Sequence, residues 1–128
     1  MKVAASRQPW LMGLAAAALL LGGCAAKPPK PMYQWGGYQN QLYEYFKADG
    51  STPVAQLGVL EEQLQKTTAA GDAVPPGLHA HLGLLKLKVG STDEAVAHLE
   101  TEKRLFPEST PYMDWLLKRA KTPKTPKG

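Results

Sequence analysis

The chain has 128 residues, 44% of them hydrophobic, with 15 Lys or Arg against 11 Asp or Glu, a net charge of +4 and a single cysteine. Such a length holds one small domain plus any leader or tether, too little for a multidomain enzyme. One cysteine excludes an internal disulfide, and a mild basic excess with no dense Lys/Arg face in the middle of the chain argues against a nucleic-acid partner.

The first residues carry Lys2 and Arg7 and no acid, and Trp10 to Leu21 then runs apolar before small residues take over. A charged start, a short apolar run and a small-residue site make residues 1–23 a signal peptide. The run is too short to cross a hydrocarbon core, which takes about 20 apolar residues. Leu21-Gly22-Gly23-Cys24 matches the lipobox of bacterial lipoproteins, an aliphatic residue and two small ones before the cysteine. Leu21, Gly22 and Gly23 are thus the expected signal-peptidase recognition residues. The thiol of Cys24 is the nucleophilic atom that accepts a diacylglyceryl group, and this covalent lipid is the only cofactor expected. Each buried methylene contributes about 0.8 kcal/mol, so a multiply acylated cysteine anchors the chain to a membrane. Ala25 follows, where an Asp commonly retains lipoproteins in the inner membrane, so the resemblance implies an outer-membrane anchor with the domain facing the periplasm. Removal of the signal peptide leaves 105 residues with 13 basic and 11 acidic side chains.

Residues 24–36 read as the lipidated cysteine and a tether, stiffened by Pro28, Pro29 and Pro31. Residues 37–120 read as an all-α domain of about five helices. Tyr38, Leu42, Tyr45 and Phe46 form one face of a helix ending near Gly50. Thr52 and Pro53 open a second, which carries Val54, Leu57, either Leu60 or Val59, and Leu64, and stops at Gly71. A third follows Pro75-Pro76-Gly77 through Leu78, Leu82, Leu85 and Val89 to Gly90. A fourth starts with a capping box at Ser91 and Glu94, continues through Ala95, Val96, Leu99 and Leu105, and breaks before Pro107. A fifth starts at Thr110-Pro111, presents Tyr112, Trp115, Leu116 and Arg119, and is expected to cap the hairpin formed by the third and fourth. Residues 121–128 read as a basic disordered tail, with Lys121, Lys124 and Lys127.

Gly50-Ser51-Thr52 recurs as Gly90-Ser91-Thr92, forty residues on, and Leu42, Ala55 and Val59 match Leu82, Ala95 and Leu99 at the same offset. The expected unit is a helical hairpin occurring twice. The second hairpin resembles a tetratricopeptide repeat through Leu82-Gly83, the turn Gly90, Ala95, Leu99 and the terminal Pro107. Gly83 and Ala95 are small enough for paired helices to approach while the leucines fill the seam. The pattern departs from that repeat at His79, Lys86 and Glu102.

Tyr33-Gln34-Trp35-Gly36-Gly37-Tyr38, Leu42-Tyr43-Glu44-Tyr45-Phe46, Pro75-Pro76-Gly77-Leu78-His79-Ala80 and Glu102-Lys103-Arg104-Leu105-Phe106-Pro107-Glu108-Ser109 together resemble a family of small proteobacterial lipoproteins known as a domain of unknown function, over about residues 20–119. Members are typically encoded beside a lipoprotein like the curli secretion channel and a second small lipoprotein. The resemblance therefore implies a place in an outer-membrane assembly with such partners, and it brings no catalytic residues.

The residues themselves suggest no catalyst. His79 and His81, two apart on a helix, diverge by roughly 200° and cannot share a metal. Ser51, Ser91 and Ser109 sit at helix starts, where hydroxyls cap amides. Glu61-Glu62 reads as a solvated face, and Asp93-Glu94 as first-turn acids favoured by the helix dipole. Six of the ten aromatics fall within residues 33–46. Four belong to the tether junction or the expected core, whereas Trp35, beside Gly36-Gly37, and Tyr43, off the apolar stripe, are the candidate partner contacts. The expected function is a non-catalytic helical scaffold among envelope lipoproteins. The alternative is a cell-wall or small-ligand binding module in which exposed aromatics stack on sugar rings.

Overall fold

Proline and glycine punctuate the helices. A computed structural model describes residues 27–47 and 50–122; the signal segment with Leu21, Gly22, Gly23 and Cys24, and the tail beyond Thr122, lie outside the described residues. The chain divides into two units, Met1–Lys30 and Pro31–Gly128, and the described residues of the second form five α-helices: α1 Tyr38–Phe46, α2 Pro53–Ala69, α3 Leu78–Lys88, α4 Thr92–Leu105 and α5 Thr110–Lys121. A 3-10 turn, Pro107–Ser109, leads into α5. The fold is all-α, with no strand among the described residues.

The Thr52 hydroxyl accepts from the Ala55 amide at 3.2 Å and Pro53 takes the first turn, where an amide would lack a partner anyway. Gly71 and Gly90 end α2 and α3 in the left-handed region, at φ 66° and 85°. Beyond each glycine an amide reaches back to a carbonyl of the last turn, Asp72 to Thr67 at 3.0 Å and Ser91 to Lys86 at 2.9 Å.

The capping box expected at Ser91 and Glu94 does not form. Ser91 is the N-cap residue, but its φ and ψ of −84° and 69° leave its hydroxyl capping nothing, and Glu94 bonds Lys86 across the hairpin instead. The Ser109 hydroxyl likewise caps no amide and donates back to the Phe106 carbonyl.

Helix α3 is central because it is apolar on two sides. Leu78, Leu82 and Leu85 pack with Tyr38 of α1 and Leu57 and Leu60 of α2. Ala80 and the partly buried Leu84 pack with Leu99 of α4 and Met113, Leu116 and Leu117 of α5. Each fully buried leucine contributes about 1.5–3 kcal/mol, so α3 joins two cores. It runs antiparallel to α4, pairing Lys86 with Glu94, Gly83 with Ala95 and Leu99, and His79 with His98. A Cβ on Gly83 would stand 2.9 Å from the Leu99 side chain and 3.2 Å from the Ala95 carbonyl.

The structure alters several expected faces. Phe46 is 77% exposed, because it lies about 100° round the helix from Tyr45, where the stripe of α1 ends. Val54 and Leu105 are also exposed. The buried stripe of α5 is Met113, Leu116 and Leu117, which leaves Tyr112 and Trp115 half exposed on the adjoining face.

The forty-residue offset holds between α1 and α3, with Gly37 and Gly77 as N-caps and Tyr38 and Leu78 both buried. Between α2 and α4 the equivalent offset is 39, because α2 starts at Pro53 and α4 at Thr92. Ala55 and Val59 are therefore exposed, and Gln56 and Leu60 occupy the buried positions that Ala95 and Leu99 hold in the second hairpin.

The close approach at Gly83 makes a sharp test. Gly83→Val should destabilise the domain by about 2 kcal/mol through overpacking. Gly58→Ala, in α2 with open space around its Cβ, should stabilise it by about 0.5–1 kcal/mol. Urea unfolding measures both; equal effects would contradict the packing described.

Candidate interaction surface

Glu102 is 2% exposed although it is a carboxylate. Its Oε1 accepts from the Gly77 amide at 2.6 Å and its Oε2 from the Ala80 amide at 3.3 Å. These are unpaired amides at the start of α3, where the helix dipole favours negative charge. Burial raises the Glu102 carboxyl above its usual range while amide bonds hold it down. A Cβ on Gly77, at φ 89°, would stand 2.7 Å from the Tyr38 hydroxyl, and burial, with the Glu102 charge adding, pushes that phenol up to about 12.

Gln63 plays the matching part in the first hairpin. Its Nε2 donates to the Gln34 and Trp35 carbonyls at 3.3 and 2.7 Å, and the Gln34 amide donates to the Ala73 carbonyl at 2.9 Å. Residues 33–36, assigned to the tether by composition, are thus bound to the domain. The Tyr33 ring also packs 6.2 Å from Phe106.

Lys86, only 12% exposed at its side chain, bridges Glu61 of α2 and Glu94 of α4, each at 2.6 Å, and those bonds raise its pKa. Glu61, which stays on the solvated face expected of it, thus also ties the first hairpin to the second, and Glu94 links the two helices of the second. His79 and His98 meet Nδ1 to Nδ1 at 3.0 Å, a contact that needs one nitrogen protonated and the other not. Burial, with His98 and Arg104 adding, lowers His79 to about 4. His81, 3% exposed between the rings of Tyr38 and Tyr45, finds no partner for either nitrogen among the described residues, and burial lowers it to about 4 as well.

Among the residues singled out from sequence, Leu82, Ala95 and Leu99 are fully buried, Gly83 lies against Leu99, Gly90 supplies its positive φ, and exposed Pro107 opens the 3-10 turn. Trp35 is 38% exposed, with its ring stacked on Tyr38 and edge-on to Tyr33. Tyr43 is 66% exposed, and Lys47 Nζ lies 5.8 Å from its ring centre. A shallow groove of about 410 Å³ beside α2 is lined by Gln34, Gly37, Val59, Glu62, Lys66 and Asp72. Among the described residues, no group of three or more His, Cys, Asp or Glu is placed to hold a metal. The outer surface thus offers aromatic rings on two separate helices, α1 and α5.

Glu102 was legible as a seam residue, since Ala95, Leu99 and Glu102 are spaced four and three apart. Its charge hid it. Tyr112 and Trp115, expected on the face of the capping helix, are half exposed, and Met113, Leu116 and Leu117 make the contact instead.

A family model described as a domain of unknown function, DUF4810, matches residues 32–116. The chain belongs to this family. The match begins beside Tyr33, where the structure also begins to hold the backbone. No curated protein and no solved structure matches the chain.

Two expectations follow for the DUF4810 domain. Glu102→Ala should cost about 2–3 kcal/mol by leaving two buried amides without an acceptor, and Glu102→Gln about 1 kcal/mol by keeping one. Urea midpoints equal to that of the unchanged chain would contradict this role. Acid should also weaken the fold. With folded pKa values lowered, His79 and His81 stay neutral while the unfolded chain binds protons. Stability is therefore full above about pH 6.5 and falls towards pH 4, by about 1–2 kcal/mol per histidine between pH 7 and pH 5. The raised Glu102 pKa acts in the opposite sense at the acid end. His81→Phe should flatten the profile of melting temperature against pH; an unchanged slope would contradict the assignment.

Proposed function

We propose that the chain is an outer-membrane lipoprotein anchored through acylated Cys24, with its domain facing the periplasm. Its two hairpins, tetratricopeptide-like in pattern, serve as a non-catalytic docking scaffold for other envelope lipoproteins, a curli-secretion-channel-like protein among them. The observation that carries this reading is the sequence Leu21-Gly22-Gly23-Cys24 a few residues ahead of the DUF4810 domain. The chemistry inside the fold supports it. Lys86, Glu61, Glu94 and Glu102 are engaged in bonds between helices, and His79 pairs with His98. Aromatic side chains such as Tyr43 and Phe46 remain on the surface, the residue type that anchors protein interfaces. A sugar-stacking role for Trp35 draws less support, because its ring already stacks on Tyr38.

Labelled palmitate should enter the chain in cells and be lost in Cys24→Ser; incorporation into that variant would overturn the anchor. Affinity capture from gently solubilised envelopes should recover companion lipoproteins, with recovery reduced severalfold by Tyr43→Ala together with Phe46→Ala. Recovery of none would overturn the scaffold.

A further inference from the structure

Helix α5 carries a ladder on its outer side. Tyr112 and Trp115 stack with ring centres 5.8 Å apart and planes 18° apart, and the Arg119 guanidinium lies 4.7 Å over Trp115. The rings are 53% and 50% exposed while Met113, Leu116 and Leu117 take the core. From Trp115 to the end of the chain the charged residues are Lys118, Arg119, Lys121, Lys124 and Lys127, with no acid. Trp and Tyr beside Arg and Lys are the side chains that suit the boundary between headgroups and water.

The path of the chain places this ladder. Tyr33 packs on Phe106, and Phe106 immediately precedes the turn that opens α5. The segment arriving from Cys24 therefore joins the domain beside the start of α5. Nine residues from Cys24 to Tyr33 reach at most about 30 Å when fully extended, and α5 itself is only about 18 Å long.

We propose that the Tyr112–Trp115–Arg119 face of α5 rests on a bilayer of anionic phospholipid, with its rings at headgroup level and its basic last turn against lipid phosphates. The proximity argument rests on the anchoring of Cys24 proposed above; the ring and charge chemistry does not. An acidic polypeptide would meet the same charges, but the tether joins the domain at the end of the ladder, which favours the bilayer.

The test uses the processed chain, residues 24–128, carrying Cys24→Ser so that it is unacylated, with Trp35→Phe leaving Trp115 as the single indole. Vesicles of phosphatidylcholine, alone or mixed with phosphatidylglycerol, carry brominated acyl chains as quenchers. Trp115 emission should shift to the blue and be quenched on the mixed vesicles and scarcely change on phosphatidylcholine alone. Lys118→Gln and Lys121→Gln should each lower the ratio of bound to free face about fivefold, and added salt should act the same way. Emission indifferent to phosphatidylglycerol overturns the proposal. A shift produced by polyglutamate but not by the mixed vesicles also overturns it, by assigning the face to an acidic protein. If Trp35→Phe unfolds the domain by circular dichroism, the same signal is read as the difference between the chain with Trp35 restored and the same chain carrying Trp115→Phe. Palmitate labelling of Cys24 is a separate readout, so loss of the anchor and loss of the α5 surface are told apart.

Discussion

The carboxylate of Glu102 reaches from α4 to the free amides at the start of α3, and the placement of α3 depends on it. A helix start inside a protein leaves amides that water cannot reach, and each costs about 1–3 kcal/mol if unpaired. Gly77 and the Tyr38 hydroxyl crowd this point so closely that a Cβ would not fit. The charge is tolerated there because the amides and the helix dipole compensate its burial. With its start fixed, α3 turns Leu78, Leu82 and Leu85 to one core and Ala80 and Leu84 to the other. Lys86 ties its far end to both α2 and α4.

The same device occurs in the first hairpin with the polarity reversed. Gln63 of α2, 39 residues before Glu102, donates to the carbonyls just ahead of α1. In each hairpin, a polar side chain on the second helix holds the chain where it leads into the first. These bonds extend the folded domain back to Tyr33, ahead of Gly37.

Much of the fold could be read from local chemistry. Thr52-Pro53, Gly71, Gly77, Gly90 and Pro107 mark helix boundaries through fixed or permissive φ values, and these act within a few residues of themselves. Gly83 and Ala95 were legible because a close helix crossing needs small side chains. What escaped the sequence depends on contacts between distant residues. Glu102 looks like a surface acid until the amides of Gly77 and Ala80 are in place, and the exposed Glu61 and Glu94 give no sign of their shared partner Lys86. Which stripe of the capping helix turns inward was not legible, because one can be drawn through Tyr112 and Trp115 or beside them, and only the packing of Met113 and Leu117 decides which. The one-residue slip between the hairpins likewise arises from where α2 and α4 start, which a repeat of Gly-Ser-Thr conceals.

Amide hydrogen exchange on the folded domain tests the role of Glu102 most directly. If its carboxylate holds the start of α3, the Gly77 and Ala80 amides should exchange as slowly as interior amides of α3 such as Leu85, opening only with global unfolding. Exchange of Gly77 and Ala80 at the rate of exposed loop amides, while Leu85 remains protected, would contradict the account.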